Sequence, residues 1–179
     1  MVSEGSQLDF FTLLGLEKSY DIDQTALTAS YRQLQCSVHP DRFAGGDERQ
    51  RLLAVQKSAQ INEAYETLRS ATRRAAYMLK LAGHAVDTSA TTFQDPEFLM
   101  QQMQLREELS DLHDAEDPEQ ALDRFYADVD NALTSQRQEF QGFYELGDYD
   151  AAKSSYAKLQ FLEKLRYEAE QKEGELLDF

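Results

Sequence analysis

The chain has 179 residues, of which 41% are hydrophobic, and its formal net charge at pH 7 is −15. This length and apolar content suffice to bury the core of one medium domain or of two small ones. A chain with this negative charge repels phosphate backbones and anionic lipid. We therefore expect neither nucleic acid nor a membrane surface as a partner.

Helix breakers are scarce, with 8 glycines and 3 prolines, whereas helix formers are abundant. This balance predicts an all-α fold. Cys36 is the only cysteine, so no internal disulfide can form, and no Cys-x-x-Cys pair exists to hold zinc or an iron–sulfur cluster. No stretch reaches the ~20 apolar residues of a membrane span, and the start lacks the pattern of an export signal. We therefore expect a cytoplasmic protein without a cofactor.

The predicted first helix is short and apolar, and a longer second helix follows with Asp23 as its N-cap. Its apolar residues fall on one stripe, formed by Leu27, Tyr31, Leu34 and Val38. The second helix must end near His39, because Pro40 disfavours helical geometry in the residue before it.

The third predicted helix begins after the loop at Gly45 and Gly46, with Asp47 as its cap. Three-to-four-residue spacing indicates an apolar stripe of Leu52, Val55, Ala59, Asn62, Tyr65 and Leu68. We expect this stripe to pack on the second helix in an antiparallel pair. A further short helix spans 71–81 and ends before Gly83.

A second unit begins at Asp95-Pro96-Glu97, which combines an N-cap, a proline at the first helical position and an acidic first turn. The same pattern at Asp117-Pro118-Glu119 predicts the start of a second helix in this unit. Gly147-Asp148 separates that helix from a third one, so we expect a three-helix bundle. We assign residues 1–84 to the first domain, 85–94 to a linker and 95–179 to the bundle. Residues 1–84 hold 10 basic and 10 acidic side chains, and residues 85–179 hold 8 basic and 23 acidic ones. The whole acidic excess therefore belongs to the second half.

The tripeptide His39-Pro40-Asp41 lies in the loop between the two long helices. Alone it is also compatible with a simple helix end and turn. It is accompanied by Phe10-x-x-Leu13-Leu14-Gly15-Leu16, Leu27-x-x-x-Tyr31-x-x-Leu34 and Ile61-Asn62-x-Ala64-Tyr65-x-x-Leu68. Together these motifs resemble the J-domain, an antiparallel helical hairpin with short flanking helices.

The resemblance implies that the loop and the second helix dock on a DnaK-class chaperone and stimulate its ATPase. The implied chaperone-binding residues are His39, Pro40 and Asp41, with Arg32, Arg42 and Lys57 as supporting cations. The second helix departs from the lysine-rich pattern of the family, since Arg32 is its only cation, and this favours a specialised partner. A rival interpretation, in which His39 and Asp41 form a catalytic pair, lacks a nucleophile in a recognisable motif. We expect Cys36 to be a small side chain that is buried or half-buried.

The helix after Asp95 carries apolar residues on two faces. At ~100° per residue, one face holds the expected core stripe of Phe98, Gln102, Leu105, Leu109 and Leu112. The other, expected to be at least partly exposed, holds Leu99, Met100, Met103, Gln104, Glu107 and Asp111. Exposed methionines beside carboxylates are typical of a partner-binding surface. The alternative is that neighbouring helices or the first domain cover them.

Phe98-Leu99-Met100, Leu105-Arg106-Glu107-Glu108-Leu109, Phe161-Leu162-x-Lys164-Leu165 and Leu176-Leu177-Asp178-Phe179 are similar to the C-terminal domain of the HscB family. The resemblance implies an iron–sulfur scaffold-binding patch of Leu99, Met100, Met103, Gln104, Glu107, Asp111 and Phe161. Phe161 also lies outside the predicted apolar stripe of the last helix, which consists of Ala152, Tyr156, Leu159 and Leu162. Met103 and Gln104 depart from the bacterial pattern, in which leucine and glutamate stand; the glutamine removes one charge.

No metal site is expected in the acidic second half, which lacks the paired Glu-x-x-His and the Asp-x-Asp-x-Asp-Gly patterns. His84 and His113 are expected at the surface or at helix ends. Taken together, the two resemblances imply a non-enzymatic adaptor between an IscU-type scaffold and an HscA-type chaperone that aids iron–sulfur cluster assembly. Two alternatives are a general J-protein that presents unfolded chains and a structural adaptor whose His-Pro-Asp loop is incidental.

Overall fold

The computed structural model describes residues 8–38, 47–86 and 95–177. All regular structure in these ranges is helical, which confirms the all-α prediction. The helices are α1 (Phe10–Leu13), α2 (Gln24–Val38), α3 (Glu48–Arg69), α4 (Ala71–Leu81), α5 (Pro96–Asp111), α6 (Pro118–Glu145) and α7 (Tyr149–Leu177), with a 3₁₀ turn at Leu112–Asp114. No helix among the described residues combines the length and apolar character that crossing a bilayer requires.

The chain divides into two compact units, Met1–Met78 and Leu79–Phe179. This division falls within α4, a few residues before the predicted domain end at residue 84. Residues 87–94 of the predicted linker lie outside the described ranges. The three-part division into 1–84, 85–94 and 95–179 therefore stays a prediction.

Helices α2 and α3 form the predicted antiparallel pair in the first unit. The Tyr31 hydroxyl donates to Asn62 Oδ1 at 2.9 Å, and Ser58 Oγ donates to Gln35 Oε1 at 3.0 Å. Later residues of α2 thus meet earlier residues of α3. The rings of Tyr31 and Tyr65 stack with centroids 4.1 Å apart, which adds apolar contact to the polar seam.

The buried face of α3 differs from the predicted stripe. Leu52 and Val55 are 57% and 51% exposed, and Ala59 and Asn62 are exposed as well. The buried residues of α3 are Ala54, Ile61, Ala64 and Leu68. Leu68 belongs to both sets, whereas Ala54, Ile61 and Ala64 each stand one residue before a predicted position, so the buried face is turned by about 100° from the predicted one.

Arg74 on α4 is a buried charged residue in the first unit, only 6% exposed. Its Nε donates to the Tyr20 carbonyl at 2.7 Å, and its Nη1 donates to the Leu68 carbonyl near the end of α3. The guanidinium also lies over the Tyr20 ring, 5.0 Å from its centroid. One side chain therefore joins α4, the end of α3 and the segment that precedes α2.

Local capping fixes the helix starts of both units. Asp23 Oδ1 accepts from the amides of Thr25 and Ala26 at 2.8 and 3.1 Å, and Asp47 Oδ1 accepts from Gln50 at 2.7 Å. The corresponding caps of α5 and α6 are Asp95 and Asp117, each followed by proline. Each predicted cap is confirmed.

Helices α6 and α7 pack along most of their length as the centre of the second unit. They are separated by Gly147, whose φ of +75° suits glycine, and Asp148 Oδ1 accepts from the amide of Ala151 in the first turn of α7. Their shared core includes Leu122, Phe125, Val129, Leu133 and Phe140 of α6 and Ala152, Tyr156, Leu159, Leu162, Leu165 and Ala169 of α7. The predicted apolar stripe of α7 is confirmed.

Three polar residues outside the candidate sites can be compared with their predictions. Cys36 is exposed, so the expectation of a buried or half-buried thiol is wrong; nine residues after Leu27, it lies on the opposite side of α2. His84 follows the end of α4 and stacks on Tyr149 with centroids 4.3 Å apart. His113 is exposed in the 3₁₀ turn.

Candidate partner-binding surfaces

The inner face of α5 is the predicted core stripe. Phe98, Leu105, Leu109 and Leu112 are buried, and Gln102 is half-buried within the same stripe. The Gln102 Nε2 atom is buried without a hydrogen-bond partner, which marks a weak point in an otherwise apolar contact.

The outer face of α5 is exposed, as the spacing predicts. Leu99 is 42% exposed, and Met100 and Met103 are each 73% exposed. Gln104, Glu107 and Asp111 are exposed beside them. The alternative in which neighbouring helices cover these side chains is therefore wrong.

Phe161 of α7 flanks this face of α5 and is held in place by two contacts. Its ring meets Phe98 edge to face, with centroids 5.7 Å apart, and the Arg106 guanidinium lies 5.3 Å from its centroid. Phe161 is half-buried, so part of the ring remains accessible. Arg106 was not among the predicted site residues, although it lies two turns after Leu99 on the same side of α5.

The polar side of the outer face is ordered by a side-chain pair. Gln104 Nε2 donates to Glu108 Oε1 at 2.8 Å, one helical turn further on. Glu108 is another residue absent from the predicted patch. Gln104 therefore orients the Glu108 carboxylate, although Gln104 itself carries no charge.

The start of α5 is anchored to α7 at the edge of the exposed face. Lys158 Nζ donates to Asp95 Oδ2 at 2.6 Å and lies 5.2 Å from the Phe98 ring centroid. The hydrogen bond from Lys158 lowers the pKa of Asp95, helped by the backbone amide of Phe98. A depression of about 780 Å³ borders this anchor, and its lining includes Met100, Met103, Gln104 and Glu107.

The candidate chaperone-binding residues belong to the first unit. His39, Pro40, Asp41 and Arg42 lie outside the described residues, between the end of α2 at Val38 and the start of α3 at Glu48. The two described supporting cations, Arg32 of α2 and Lys57 of α3, are both exposed. Both are thus available to a partner.

Two family models match separate parts of the chain. A model described as the DnaJ domain matches residues 9–77, and one described as the HSCB C-terminal oligomerisation domain matches residues 94–170. The chain is also similar to the co-chaperone protein HscB homolog of Aliivibrio fischeri. The two are 45% identical over 170 residues, which covers 95% of this chain and 99% of the relative.

Solved structures show the same likeness. The chaperone HscB from Vibrio cholerae superposes with a TM-score of 0.84 at 40% identity, covering 95% of this chain and 100% of that one. The human co-chaperone protein HscB superposes with a TM-score of 0.86 at 26% identity, covering 94% of this chain and 83% of that one. Both likenesses extend over nearly the whole sequence.

Proposed function

This chain belongs to the HscB family of J-domain co-chaperones, and we propose that it joins an iron–sulfur scaffold protein of the IscU type to a specialised DnaK-class chaperone of the HscA type. In this role it stimulates the chaperone's ATPase while the scaffold is bound, which aids cluster assembly and transfer. The observation that carries the proposal is the exposed apolar face of α5. We call this surface the scaffold patch: Leu99, Met100, Met103, Gln104, Glu107, Asp111 and Phe161.

The scaffold patch combines three properties suited to a protein partner. Leu99, Met100 and Met103 supply apolar area, and the unbranched methionines adapt to the partner's shape. Glu107 and Asp111 orient a basic partner at the rim. Phe161, fixed by its ring contacts, loses little conformational freedom on binding.

The opposite end of the adaptor, in this proposal, is the His39-Pro40-Asp41 loop. Proline restricts the backbone, so an imidazole and a carboxylate are presented at little entropic cost. Arg32, Arg42 and Lys57 support the contact with the chaperone. Its polar character makes the interaction sensitive to salt.

The protein acts in this proposal as a cytoplasmic, non-enzymatic adaptor. Binding both partners at once raises the effective concentration of the scaffold at the chaperone. No chemistry by the adaptor itself is required, since the chaperone hydrolyses the ATP.

The proposal is tested by steady-state ATP hydrolysis of an HscA-type chaperone with this protein, in the presence and absence of an IscU-type scaffold. We expect the two proteins together to stimulate hydrolysis more than the sum of their separate effects. His39→Gln should abolish this stimulation. The control His113→Gln makes the same change at an exposed histidine of the second unit and should leave it intact.

Two other results would identify different functions. Stimulation that ignores the scaffold, together with suppressed aggregation of an unrelated denatured protein, would indicate a general J-protein whose apolar α5 face holds unfolded chains. Hydrolysis indifferent to His39→Gln would indicate a structural adaptor with an incidental loop.

A further inference from the structure

We propose that the groove between α5 and α6 binds a lysine- or arginine-bearing segment of the same scaffold partner, with Glu108 and Asp128 as its anionic anchors. This inference rests on the proposed function and extends the binding surface beyond the scaffold patch. It assigns a role to α6, which contributes no residue to that patch.

The groove is an open depression of about 510 Å³. Leu112, Ala115, Ala121 and Phe125 form its apolar lining, and its polar lining consists of Gln104, Glu107, Glu108, Asp111, Arg124 and Asp128. A lysine or arginine side chain matches this arrangement, because its aliphatic stem packs on apolar surface while its charged end reaches polar groups.

The charge around the groove selects a basic occupant. Four of its lining side chains are carboxylates and one is an arginine. That arginine, Arg124, donates from Nη2 to Gln120 Oε1 one turn earlier on α6. The local excess of negative charge attracts a cationic segment and disfavours an acidic one.

The groove is continuous with the scaffold patch. Gln104, Glu107 and Asp111 belong to the patch and also line the groove. A partner that covers Met100 and Met103 therefore meets the groove without leaving the surface of α5. This continuity identifies the occupant as part of the scaffold partner.

Gln104 prepares one anchor for the occupant. Its amide holds the Glu108 carboxylate through the 2.8 Å hydrogen bond, so this side chain loses less rotamer freedom when a cation arrives. Glu108 on α5 and Asp128 on α6 then approach the occupant from two helices. We therefore assign Gln104 a positioning role in binding.

The test compares two charge-matched double variants of the full chain. Glu108→Gln with Asp128→Asn removes both anchors. Glu145→Gln with Asp123→Asn removes the same charge from exposed residues outside the groove, and Glu145, like Glu108, accepts from a glutamine four residues earlier, at 2.8 Å. Because the two variants carry the same net charge, a difference between their affinities reports a local contact in the groove and not general electrostatic attraction.

The measurement is the Kd for an IscU-type scaffold by calorimetry at several salt concentrations. We expect the anchor variant to bind about three- to tenfold more weakly, since exposed ion pairs contribute only modestly to affinity. Its affinity should also depend less on salt. The control variant should change Kd less than twofold, by about 0.4 kcal/mol at most.

Equal weakening of both variants, or none in the anchor variant, would overturn the groove proposal while leaving scaffold binding established. Failure of the unmodified chain to bind the scaffold would overturn the proposed function and this inference together. Gln104→Ala supplies a further readout. It should weaken binding more in the unmodified background than after Glu108 has been replaced, because part of the effect of Gln104 acts through its hydrogen bond to Glu108.

Discussion

Arg74 is a charged side chain that the first unit buries among backbone carbonyls. Its guanidinium donates hydrogen bonds to the backbone carbonyls of Tyr20 and Leu68. The Leu68 carbonyl lies in the last turn of α3, where no intrahelical amide is available to it. A buried charge is stable here because the donors are matched by acceptors and the charge lies over an aromatic ring.

Replacing Arg74 by methionine should therefore destabilise the first unit by about 2–4 kcal/mol, since two carbonyls lose a charged donor. Methionine keeps much of the volume, so the loss reflects hydrogen bonding. Amide hydrogen exchange of α2 and α3 in the full chain measures the effect as a lower opening free energy. The exposed neighbour Arg73, changed to methionine, should alter that free energy by less than about 0.5 kcal/mol.

At the scale of elements, α6 and α7 are joined by polar contacts that flank their apolar core. The Tyr126 hydroxyl donates to Glu173 Oε2 at 2.9 Å, and Arg166 Nε donates to Asp130 Oδ1 at 2.9 Å. The pKa of Tyr126 is raised to about 12, first by burial and then by the hydrogen bond to Glu173. The neutral phenol is thus the form that the folded helices favour.

This pairing predicts a step in stability at high pH. The folded-state pKa of Tyr126 lies above the ordinary value of 10.0, so the pair contributes fully below pH 10 and loses its contribution as the pH rises towards 12. Absorbance titration should show a phenolate that forms near pH 12 and is absent from Tyr126→Phe. Glu173→Gln should lower the pKa of Tyr126.

Tyr167→Phe is the control for this titration, because Tyr167 lies exposed on α7, the helix that carries Glu173. It should leave the step near pH 12 unchanged. The pKa values of Tyr77 and Tyr156 are also raised by burial, so the difference between variants identifies the residue. A step that survives in Tyr126→Phe would contradict the assignment.

The starts of α2, α3, α5 and α6 were predictable because their cause is local. Asp23, Asp47, Asp95 and Asp117 bond amides within three residues of themselves, and such contacts are visible in the sequence. The buried face of α3 was not predictable in the same way. It depends on how α1 and α2 pack against α3, a tertiary contact that the local sequence does not reveal, and Ala54 rather than Leu52 faces inward.

The scaffold patch shows the same division between local and tertiary causes. The exposure of Met100 and Met103 follows from the helical period alone, because the opposite side of α5 holds the core stripe. The contact of Arg106 with Phe161 joins two helices distant in sequence, and neither the period nor the composition indicates it. Glu108 was within reach of prediction, since a glutamine four residues before a glutamate is a known helical pair.

At the scale of the whole molecule, the proposed binding sites belong to units with different charge. The first 84 residues are balanced, and the second half carries the entire excess of −15. We therefore expect the two activities to be separable by mutation. Asp41→Asn should abolish ATPase stimulation and leave the Kd for the scaffold unchanged.

The reverse variant, Leu99→Ser with Met103→Ser, should lose scaffold binding and keep the scaffold-independent stimulation of the chaperone. Both substitutions lie on exposed positions of α5, so the fold should tolerate them. Calorimetry with the scaffold and hydrolysis by the chaperone give the two readouts. Loss of both activities in either variant would contradict a two-site adaptor.

The exposure of Met100 and Met103 also has a chemical consequence. A thioether in solvent is open to oxidation, and the sulfoxide is polar and chiral where the partner requires a soft apolar contact. Met78, by contrast, is buried in the first unit. Oxidants should therefore weaken scaffold delivery first and leave the fold intact, and methionine sulfoxide reductases would restore it. In the proposed function, cluster supply would then respond to oxidative stress through a reversible change at the methionine sulfurs of the scaffold patch.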